Sequence, residues 1–505
     1  MGSTSVLLDD RLQSTRSLRF LSSRITTSSI YPNMSPGAIL TRTAFNTLPI
    51  ELNKAIAHYL ETDKDIVSFR LVCRGTNDAI DADHGTFWRH MFRKNYAFKD
   101  GLTNKELRRM YQRRAKMLRR GTGYDFFRGY KKREQDVVEV LKDLIVESFQ
   151  GTVSFDEYGR PRCKNQDRLL EFVLNSKILL NDRRPPEEAS RAEKGEIKGM
   201  NPMLVAVKIM CSPLVFEHEN IKHHVFAVEQ LQRAVYAATN KAPIYEGLDH
   251  TDLNVEWIMK CLDFFRHHMM NQEVMTLSDA MENLSTLQKP TVWQGPLQKG
   301  AFPLSKHWKG TYSFLDSNEQ RKIRALPNDD DSEIYFSDKN VDEGKIQSLE
   351  LDFDPDHQLK WPLIFEERLK SLRSNLESNV PLKTQGRSKF KDAAGGNLQF
   401  MGTGTDLEDD FRAIGWLNAL PDQCGIPGWQ RITFMKHFAE DLDDVDSDNL
   451  WAYEGVVLPG GRIIVGRWWF ASETVDFNRD YNGPFILWAA EPDNFDETSD
   501  DESNN

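Results

Sequence analysis

Closely spaced histidines are the first residues of this chain that could hold a metal ion. The stretch HENIKHH at 218–224 looks like the HExxH helix of zinc proteases. Its spacing does not fit, because His218 and His223 are five positions apart, whereas two histidines must stand at i and i+4 to face one metal ion. His267 and His268 are adjacent, and neighbouring residues on a helix point about 100° apart. We expect no metal site at either place.

The glycine-rich stretch GTGTD at 402–406 is a candidate phosphate loop. No Lys followed by Ser or Thr comes after it, and no strand–turn–helix pattern surrounds it. We therefore predict a turn between strands. The acids that follow are expected to form a solvated surface: Asp406, Glu408, Asp409 and Asp410.

Nucleophilic chemistry has no clear signal either. The sequence contains no Gly-x-Ser-x-Gly motif, and its five cysteines are too scattered to suggest a zinc site or a disulfide framework. Isolated thiols fit a reducing compartment. We expect that the protein is not an enzyme and needs no cofactor.

Length and charge limit the number of domains and indicate how the chain is divided. Its 505 residues are enough for two to four domains, and 39% of them are hydrophobic. Residues 1–134 hold 25 Lys and Arg and 13 Asp and Glu, a net charge of +12, which leaves −23 for the rest of the total of −11. A basic head on an acidic body suggests different partners for the two parts.

The first 44 residues predict a disordered tail. Residues 11–45 contain five arginines, many Ser and Thr and no acid, which is also the composition of a mitochondrial transit peptide. We expect a cytoplasmic or nuclear protein, with mitochondrial targeting as the minor alternative. No run of eighteen apolar residues predicts a membrane-spanning helix.

Apolar residues at helical spacing predict that the first half of the chain is α-helical. The pattern predicts short helices over residues 46–100. It predicts two longer helices over 103–149, separated by a break at 121–123. The first of these has an apolar stripe at Leu107, Tyr111, Ala115 and Leu118. The second has one at Val137, Val140, Leu141, Leu144 and Ile145. Further helices are predicted over 167–180, 202–211, 224–238 and 254–270, with a loop over 183–199.

The pattern changes near Trp293, where polar residues begin to alternate with aromatic and β-branched ones. Strands are predicted within 307–315, 430–438, 451–470 and 483–489. Pro459-Gly460-Gly461 divides the third run and is a strong hairpin signal. Consecutive strands with no helical pattern between them indicate an antiparallel sheet, sandwich or barrel.

The sequence therefore predicts an α+β protein. Two insertions interrupt the strands, an acidic one over 316–348 and one over 366–397 with a helix at 366–376. The predicted divisions are a disordered tail at 1–44, a small helical unit at 45–95, a helical region at 96–290, an antiparallel β-rich barrel-like domain at 291–492 and a disordered acidic tail at 493–505.

The small helical unit carries more apolar side chains than it can bury. Pro49 and Glu51 suit the first turn of a helix, and Thr62 or Asp63 suits the cap of the next. The apolar positions that follow Pro49 are Leu52, Ile56, Tyr59, Leu60, Ile66, Val67, Phe69, Leu71, Val72 and Cys73. A unit of this size encloses too little area to be stable alone. We predict that the surplus contacts another protein.

These residues resemble the F-box motif. The matching segments are LPIEL (48–52), Asp65-Ile66, FRLVCR (69–74) and Phe87-Trp88. The family often has an aromatic residue three positions after the cysteine, where this chain has Thr76. The resemblance implies that the unit docks on the Skp-type adaptor of an SCF ubiquitin ligase through a hydrophobic helix-to-helix contact. The implied contact residues are Leu48, Pro49, Leu52, Ile56, Leu60, Ile66, Leu71 and Val72.

The C-terminal region is similar to one found in uncharacterised fungal F-box proteins. The matching segments are GTGTDLEDDF (402–411), an Ile-x-Phe-x-Lys run (432–436), YEGVV (453–457), GGRIIVGRWW (460–469) and GPFILW (483–488). The resemblance implies a calycin-like or other small β-barrel. If the barrel closes, some aromatics could line a pocket, with Arg467 as its polar group. The candidates are Trp308, Tyr312, Arg467 and Trp468, which otherwise serve as core.

The helix at 105–120 has eight Lys and Arg in sixteen residues, a density that could bind nucleic-acid phosphates. No helix-turn-helix, zinc-finger or RNA-binding signature accompanies it. We prefer a linker helix whose apolar stripe packs on the small helical unit, and whose basic face is solvated or meets acidic partner surfaces.

Together these patterns favour a non-enzymatic substrate receptor, whose F-box binds the adaptor and whose β domain binds a protein target. The alternative is a ligand-binding β-barrel protein with no role in ubiquitin ligation.

Overall fold

The computed structural model describes most of the chain between residues 44 and 492. The described ranges are 44–98, 100–180, 199–216, 228–236, 244–246, 251–271, 275–326, 334–353, 361–370, 397–439, 445, 449–477 and 480–492. The predicted N-terminal tail up to residue 43, the HENIKHH stretch, nearly all of the 183–199 loop and the acidic C-terminal tail lie outside these ranges. None of the helices within them is long and apolar enough to cross a membrane.

Five short helices form the N-terminal unit: α1 Ala44–Thr47, α2 Ile50–His58, α3 Asp63–Val72, α4 Arg74–Asp81 and α5 Thr86–Asn95. Thr62 begins α3 with a capping box, because its hydroxyl accepts from the Asp65 backbone N–H while the Asp65 carboxylate accepts from the Thr62 backbone N–H. Glu51 lies in the first turn of α2, as the sequence predicts, whereas Pro49 lies one position before the helix and not in its first turn.

Three longer helices follow: α6 Asn104–Gly121, α7 Lys132–Val146 and α8 Lys164–Leu174. The five apolar positions predicted for α7 are all buried. The break between α6 and α7 extends to residue 131, well beyond the predicted glycines. Helix α8 begins and ends earlier than predicted, and the Asn175 side chain donates to the Glu171 carbonyl where the helix stops.

The N-terminal unit shares one hydrophobic core with these helices. Phe87, Trp88 and Phe92 of α5 are buried in a cluster that also contains Tyr111 of α6 and Leu141 of α7. The predicted boundary near residue 95 therefore divides the chain inside a continuous core. Part of the apolar surplus of the unit is buried by its own chain.

A second layer of helices lies against the β domain. It consists of α9 Pro202–Cys211, α10 Val228–Tyr236, α11 Val255–Met270 and α12 Met275–Glu282. Helix α11 is buried along almost its whole length, and Ile258 and Phe265 belong to the same cluster as Val465 and Ile486 of the β domain. Helix α9 has the predicted bounds and α11 begins one residue later than predicted.

The β domain is a closed antiparallel barrel of eight strands. They are β1 His307–Tyr312, β2 Gln347–Asp352, β3 Leu398–Asp406, β4 Asp409–Ala419, β5 Gln430–His437, β6 Trp451–Val457, β7 Ile463–Phe470 and β8 Asn482–Ala489. Each strand pairs with the next in the chain, and β8 pairs with β1 from Phe485 opposite Tyr312 to Ala489 opposite Trp308. Helix α13 Ser317–Ala325 lies between β1 and β2, and α14 Leu363–Lys370 between β2 and β3. The α+β prediction is confirmed.

The sequence did not reveal strands β2, β3 and β4. The GTGTD stretch is the end of β3, and the turn comes after it at Leu407, whose φ is 60°. The prediction of a turn over 402–406 was therefore wrong. Gly402 and Gly404 fit inside the strand because a Cβ on either would come within 3.0 Å of side chains on the neighbouring strands.

The hairpin at Pro459-Gly460-Gly461 is confirmed. Val457 of β6 pairs with Ile464 of β7, and Gly460 and Gly461 have φ values of 93° and 70°. A Cβ at Gly460 would clash with Trp293, so this turn needs glycine both for its backbone conformation and for space.

We predict that Gly415→Ala in β4 lowers the free energy of unfolding by about 1–3 kcal/mol, the usual cost of overpacking a core. The new Cβ would lie 2.5 Å from Phe400 Cζ and 2.5 Å from Phe434 Cβ. Urea unfolding measures the change. Gly295→Ala is the matched control, since nothing lies within 4 Å of its Cβ position. Equal stability of the two variants would contradict the tight packing of the barrel interior.

Candidate functional site

Exposed apolar side chains concentrate on helices α2 and α3. Six of the fourteen large hydrophobic residues exposed in the described ranges fall between Ile50 and Val72, so this is the region where apolar surface is least covered. They are Ile50, Leu52, Tyr59, Val67, Leu71 and Val72. Leu71 is 80% exposed, and Val67 stands one helical turn before it, so the two share a stripe along α3. We call these six residues the exposed apolar set.

The adaptor contacts implied by the sequence divide into three groups. Pro49, Leu52, Leu71 and Val72 are exposed, and Leu48, Ile56 and Leu60 are half-buried. The prediction that Ile66 contacts the adaptor was wrong, because Ile66 is only 3% exposed and belongs to the core of the helical region. Its side chain supports α3 from within and presents no surface to a partner.

A hydrogen bond from α6 holds the beginning of α3. The Tyr111 hydroxyl donates to Asp63 Oδ1 over 2.7 Å. Burial and the neighbouring Asp63 carboxylate raise the pKa of Tyr111, so the hydroxyl keeps its proton and remains a donor. The position of α3 is thereby linked to the long helix behind it.

Asp81, the last residue of α4, connects four helices. It accepts a hydrogen bond from Trp88 Nε1 of α5 over 3.2 Å, and it pairs with Arg70 of α3 and Arg108 of α6, each over 3.0 Å. The Arg108 guanidinium also lies over the Trp88 ring, 5.5 Å from its centre. This network fixes the inner sides of α3 and α5 and leaves the exposed apolar set facing outward.

Thr76, the departure from the family pattern, is fully buried. Its hydroxyl accepts from the Cys73 backbone N–H over 3.1 Å and donates to the Cys73 carbonyl over 2.9 Å. Hydrogen bonds from the backbone and side chain of Thr76, and from the backbone of Gly75, also lower the pKa of the Cys73 thiol. Thr76 thus stabilises the start of α4 and does not contribute to the exposed apolar set.

The basic helix α6 meets acids within its own chain. Arg113 pairs with Glu139 and with Asp143, the latter over 3.5 Å, and Arg114 pairs with Glu147 over 2.6 Å. Leu107 and Tyr111 of its predicted stripe are buried, and Ala115 and Leu118 are half-buried. The stripe packs on the N-terminal unit and α7, as predicted. The basic face differs from the prediction at Arg113 and Arg114, which pair with acids of the same chain.

Three of the four predicted pocket residues point into the barrel, but not to one place. Tyr312 and Trp468 are in contact, with ring centres 5.4 Å apart. Trp308 stands four residues before Tyr312 on β1, which separates their Cα atoms by roughly 13 Å. Trp308 therefore lies towards the opposite end of the barrel.

The end of the barrel that contains Tyr312 also holds a buried ion pair. Asp406 pairs with Lys436 and accepts a hydrogen bond from the Tyr312 hydroxyl over 3.2 Å. Burial lowers the pKa of Lys436, while Asp406 opposes that shift, and burial raises the pKa of Tyr312. The Lys436 ammonium also lies 4.2 Å from the centre of the Phe411 ring.

Sequence reasoning missed Lys436 and Asp406 as members of this site. A signal for Lys436 was present, since it continues the inward alternation of Ile432 and Phe434 along β5. Asp406 gave none, because it was assigned to a turn.

Arg467 does not belong to that site. It neighbours Trp468 on β7, and successive side chains of a strand point to opposite faces, so Arg467 lies on the outer face of the barrel. It is 2% exposed, its guanidinium is 3.9 Å from the centre of the Phe477 ring, and it stands opposite Glu454 in the β6–β7 pairing. Burial lowers the pKa of Arg467 to about 9, with Glu454 opposing the shift. The guanidinium is therefore charged at neutral pH.

Glu454 forms an ion pair with a second buried arginine, Arg431 of β5. The Tyr245 ring lies over Arg431, 4.3 Å from its guanidinium carbon, and the Tyr245 hydroxyl donates to the Gly455 carbonyl over 3.1 Å. Tyr245, which lies between α10 and α11 in a short strand that pairs with 252–253, thus covers a charged group on the barrel wall.

A groove of about 680 Å³ with many polar lining residues lies along β1, β2, β3 and β4, and the predicted pocket residue Trp308 is one of the residues that line it. Among its lining residues are His307, Glu350, Thr403, Asp410 and Arg412. His307 Nδ1 lies 3.0 Å from Glu350 Oε1. The mixture of both charge signs with hydroxyl groups suits a polar partner.

The adjacent histidines of the second helical layer lie in its interior. His267 and His268 are buried on α11, with their rings 5.1 Å apart and perpendicular. Within the described ranges no group of three or more His, Cys, Asp or Glu could hold a metal ion.

Comparison with known proteins returned no match to a family model, to a curated protein or to a solved structure.

We predict that Tyr111→Phe lowers the free energy of unfolding by about 1–2 kcal/mol, because it removes the hydrogen bond to the Asp63 carboxylate while the ring stays in place. Thermal or urea unfolding measures the loss. Tyr158→Phe is the control, because its ring is 47% exposed. Indistinguishable stabilities for the two variants would show that Tyr111 does not hold α3.

Lys436→Met should cost about 3–5 kcal/mol, since it leaves the Asp406 carboxylate without its cation in a largely buried position. Adding Asp406→Asn should restore part of the loss, because the asparagine amide carries no charge and its oxygen can still accept from Tyr312. Urea unfolding of the two single variants and the double variant measures the coupling energy. Strictly additive losses would rule out the ion pair.

Proposed function

We propose that the chain is the substrate-recognition subunit of an SCF-type ubiquitin ligase. Its N-terminal unit would be an F-box that docks on the Skp-type adaptor, and its C-terminal barrel would hold a protein target. Such a subunit needs no catalytic residue, because it works by raising the effective concentration of the target beside a ubiquitin-charged enzyme. This role is consistent with a cytoplasmic or nuclear location.

The exposed apolar set is the observation that carries the proposal. Leu52 is 50% exposed, Val67 53% and Leu71 80%, although each is an apolar residue on a well-packed helix. Ile66 and Phe69, on the other side of α3, are buried. Helix α3 therefore has one apolar stripe that packs in the core of the chain and another that is left uncovered. Exposed apolar clusters of this kind mark protein-interaction sites.

The barrel supports the second half of the proposal. Its wall is closed and its interior is occupied by contacting rings, such as Phe434 and Tyr453, which stack 4.5 Å apart. We propose that it is calycin-like and that a target binds to its outer surface. The 680 Å³ groove along β1 to β4 is the candidate surface.

A ligand-binding barrel without a ubiquitin-ligase role is the second candidate. The same groove favours it, because its volume and mixed polarity would also suit a small polar molecule. Adaptor binding distinguishes the two candidates.

The deciding experiment is co-purification of the full chain with a Skp-type adaptor. We expect the wild type to bind, and Leu52→Asp/Leu71→Asp to bind at least about a hundredfold more weakly, because two carboxylates would be desolvated in an apolar interface. Both side chains are exposed, so the variant should keep the stability of the wild type, which thermal unfolding checks.

Phe155→Asp is the matched control, because Phe155 is 69% exposed but lies outside the N-terminal unit. It should bind as the wild type does. A wild type that does not bind, or a double variant that binds as well as the control, would remove the F-box assignment.

A further inference from the structure

The surroundings of Arg467 combine deep burial with a positive charge. Arg467 is buried, and so are the two aromatic residues beside it, Trp469 and Phe477. The guanidinium carbon lies 3.9 Å from the centre of the Phe477 ring and 5.6 Å from that of Trp469. These contacts are to ring faces, which attract a cation but do not replace hydrogen-bond acceptors.

Among the residues that the structure describes, no acceptor lies within hydrogen-bond distance of the Arg467 guanidinium. Its Nε, Nη1 and Nη2 are all buried without a partner, and so is Nε1 of Trp469. The two residues stand at i and i+2 on β7, so both project from the outer face of the barrel. Four buried N–H-bearing nitrogens on the same face of β7 therefore lack acceptors, although buried donors in folded proteins are nearly always paired.

The charge of Arg467 is also unmatched by an ion pair within the described part of the chain. The carboxylate opposite it, Glu454, forms its ion pair with Arg431. A third arginine, Arg324, donates to the carbonyl of Phe477 and to Asn482 Oδ1, and its neighbouring carboxylate is Asp476. Glu454 is therefore engaged by Arg431 and Asp476 lies beside Arg324, whereas no carboxylate of the described residues forms an ion pair with Arg467.

We propose that Arg467 and Trp469 bind a small monovalent anion of the chloride class on the outer face of the barrel, beneath Phe477. An anion supplies the acceptor that these N–H groups lack and the negative charge that Arg467 lacks. One unmatched cation calls for one negative charge, and the closed surroundings call for a small ion. The site is independent of adaptor and target binding.

Thermal unfolding of the full chain in potassium chloride and in potassium gluconate, at equal ionic strength, tests the site. Gluconate is too large for such an enclosed position, so it controls for general salt effects. We expect the unfolding midpoint of the wild type to rise with chloride concentration and to stay lower in gluconate, because an ion that binds only the folded state stabilises it. Equal midpoints in the two salts at every concentration would overturn the proposal.

Variants locate the effect. Arg467→Met should abolish the difference between the salts, and Trp469→Phe, which keeps a ring but loses the N–H, should weaken the apparent chloride affinity at least about tenfold. Arg109→Met, which removes an exposed arginine of helix α6, should leave the chloride effect unchanged.

A direct measurement covers the case in which Arg467→Met does not fold. The folded wild type should broaden the chloride NMR signal, and Trp469→Phe should broaden it less. Equal broadening by the wild type and Trp469→Phe, or a chloride effect that survives in a folded Arg467→Met, would place the ion elsewhere and refute the assignment.

Discussion

Pairing of β8 with β1 is the constraint on which the rest of the β domain depends. All six other strands lie between these two in the chain, so this pairing carries the largest loop-closure cost of any in the barrel. Once formed, it leaves no strand edge in the barrel and decides which residues of every strand face inward. Tyr312 and Phe485 meet at this seam, and the aromatic interior follows from it.

Closure does not by itself explain why β5 and β8 are buried at every position. The outer face of β5 to β8 is covered as well, by α11 and its neighbouring helices on one side and by α14 on the other. Strands covered on both faces read as continuous apolar runs, which is what GPFILWA shows. Polar residues at outer positions, among them Arg431, Glu454 and Arg467, are consequently buried beneath the covering elements.

That arrangement explains why the sequence placed Arg467 in the wrong site. Period-two alternation indicates that the side chains of Arg467 and Trp468 point to opposite faces of β7. It does not indicate which face lies inside the barrel when both faces of a strand carry apolar residues. Trp468 and Tyr312, two of the candidate pocket residues, are in contact inside the barrel. Strands β3 and β4 were missed because Gly402, Gly404 and the acids after Asp406 are typical of loops, and only the close approach of neighbouring strands explains the two glycines. Strand β2 begins inside the segment 316–348, which was predicted to be an insertion.

The helical part was more predictable because its contacts are local. Helices α9 and α11 follow from apolar spacing and caps, and the capping box at Thr62 can be read directly from the sequence. The partner of each apolar stripe could not be read in the same way. Phe87 and Trp88 were assigned to a motif for binding another protein, yet their side chains are buried against α6 within the same chain.

The division of α3 between two surfaces bears on how the N-terminal unit could bind a partner. Ile66 and Phe69 fix one side of the helix in the core, Tyr111 holds its first residue, and Asp81 holds Arg70 near its end. The outward stripe of Val67 and Leu71 is therefore presented on a helix that is already ordered. A partner that covers it would lose little conformational entropy on this side of the interface, since only side chains would need to adjust. Rigid presentation of an uncovered apolar stripe is difficult to explain by the stability of the chain alone, and this is why the proposed function rests more on α3 than on the barrel.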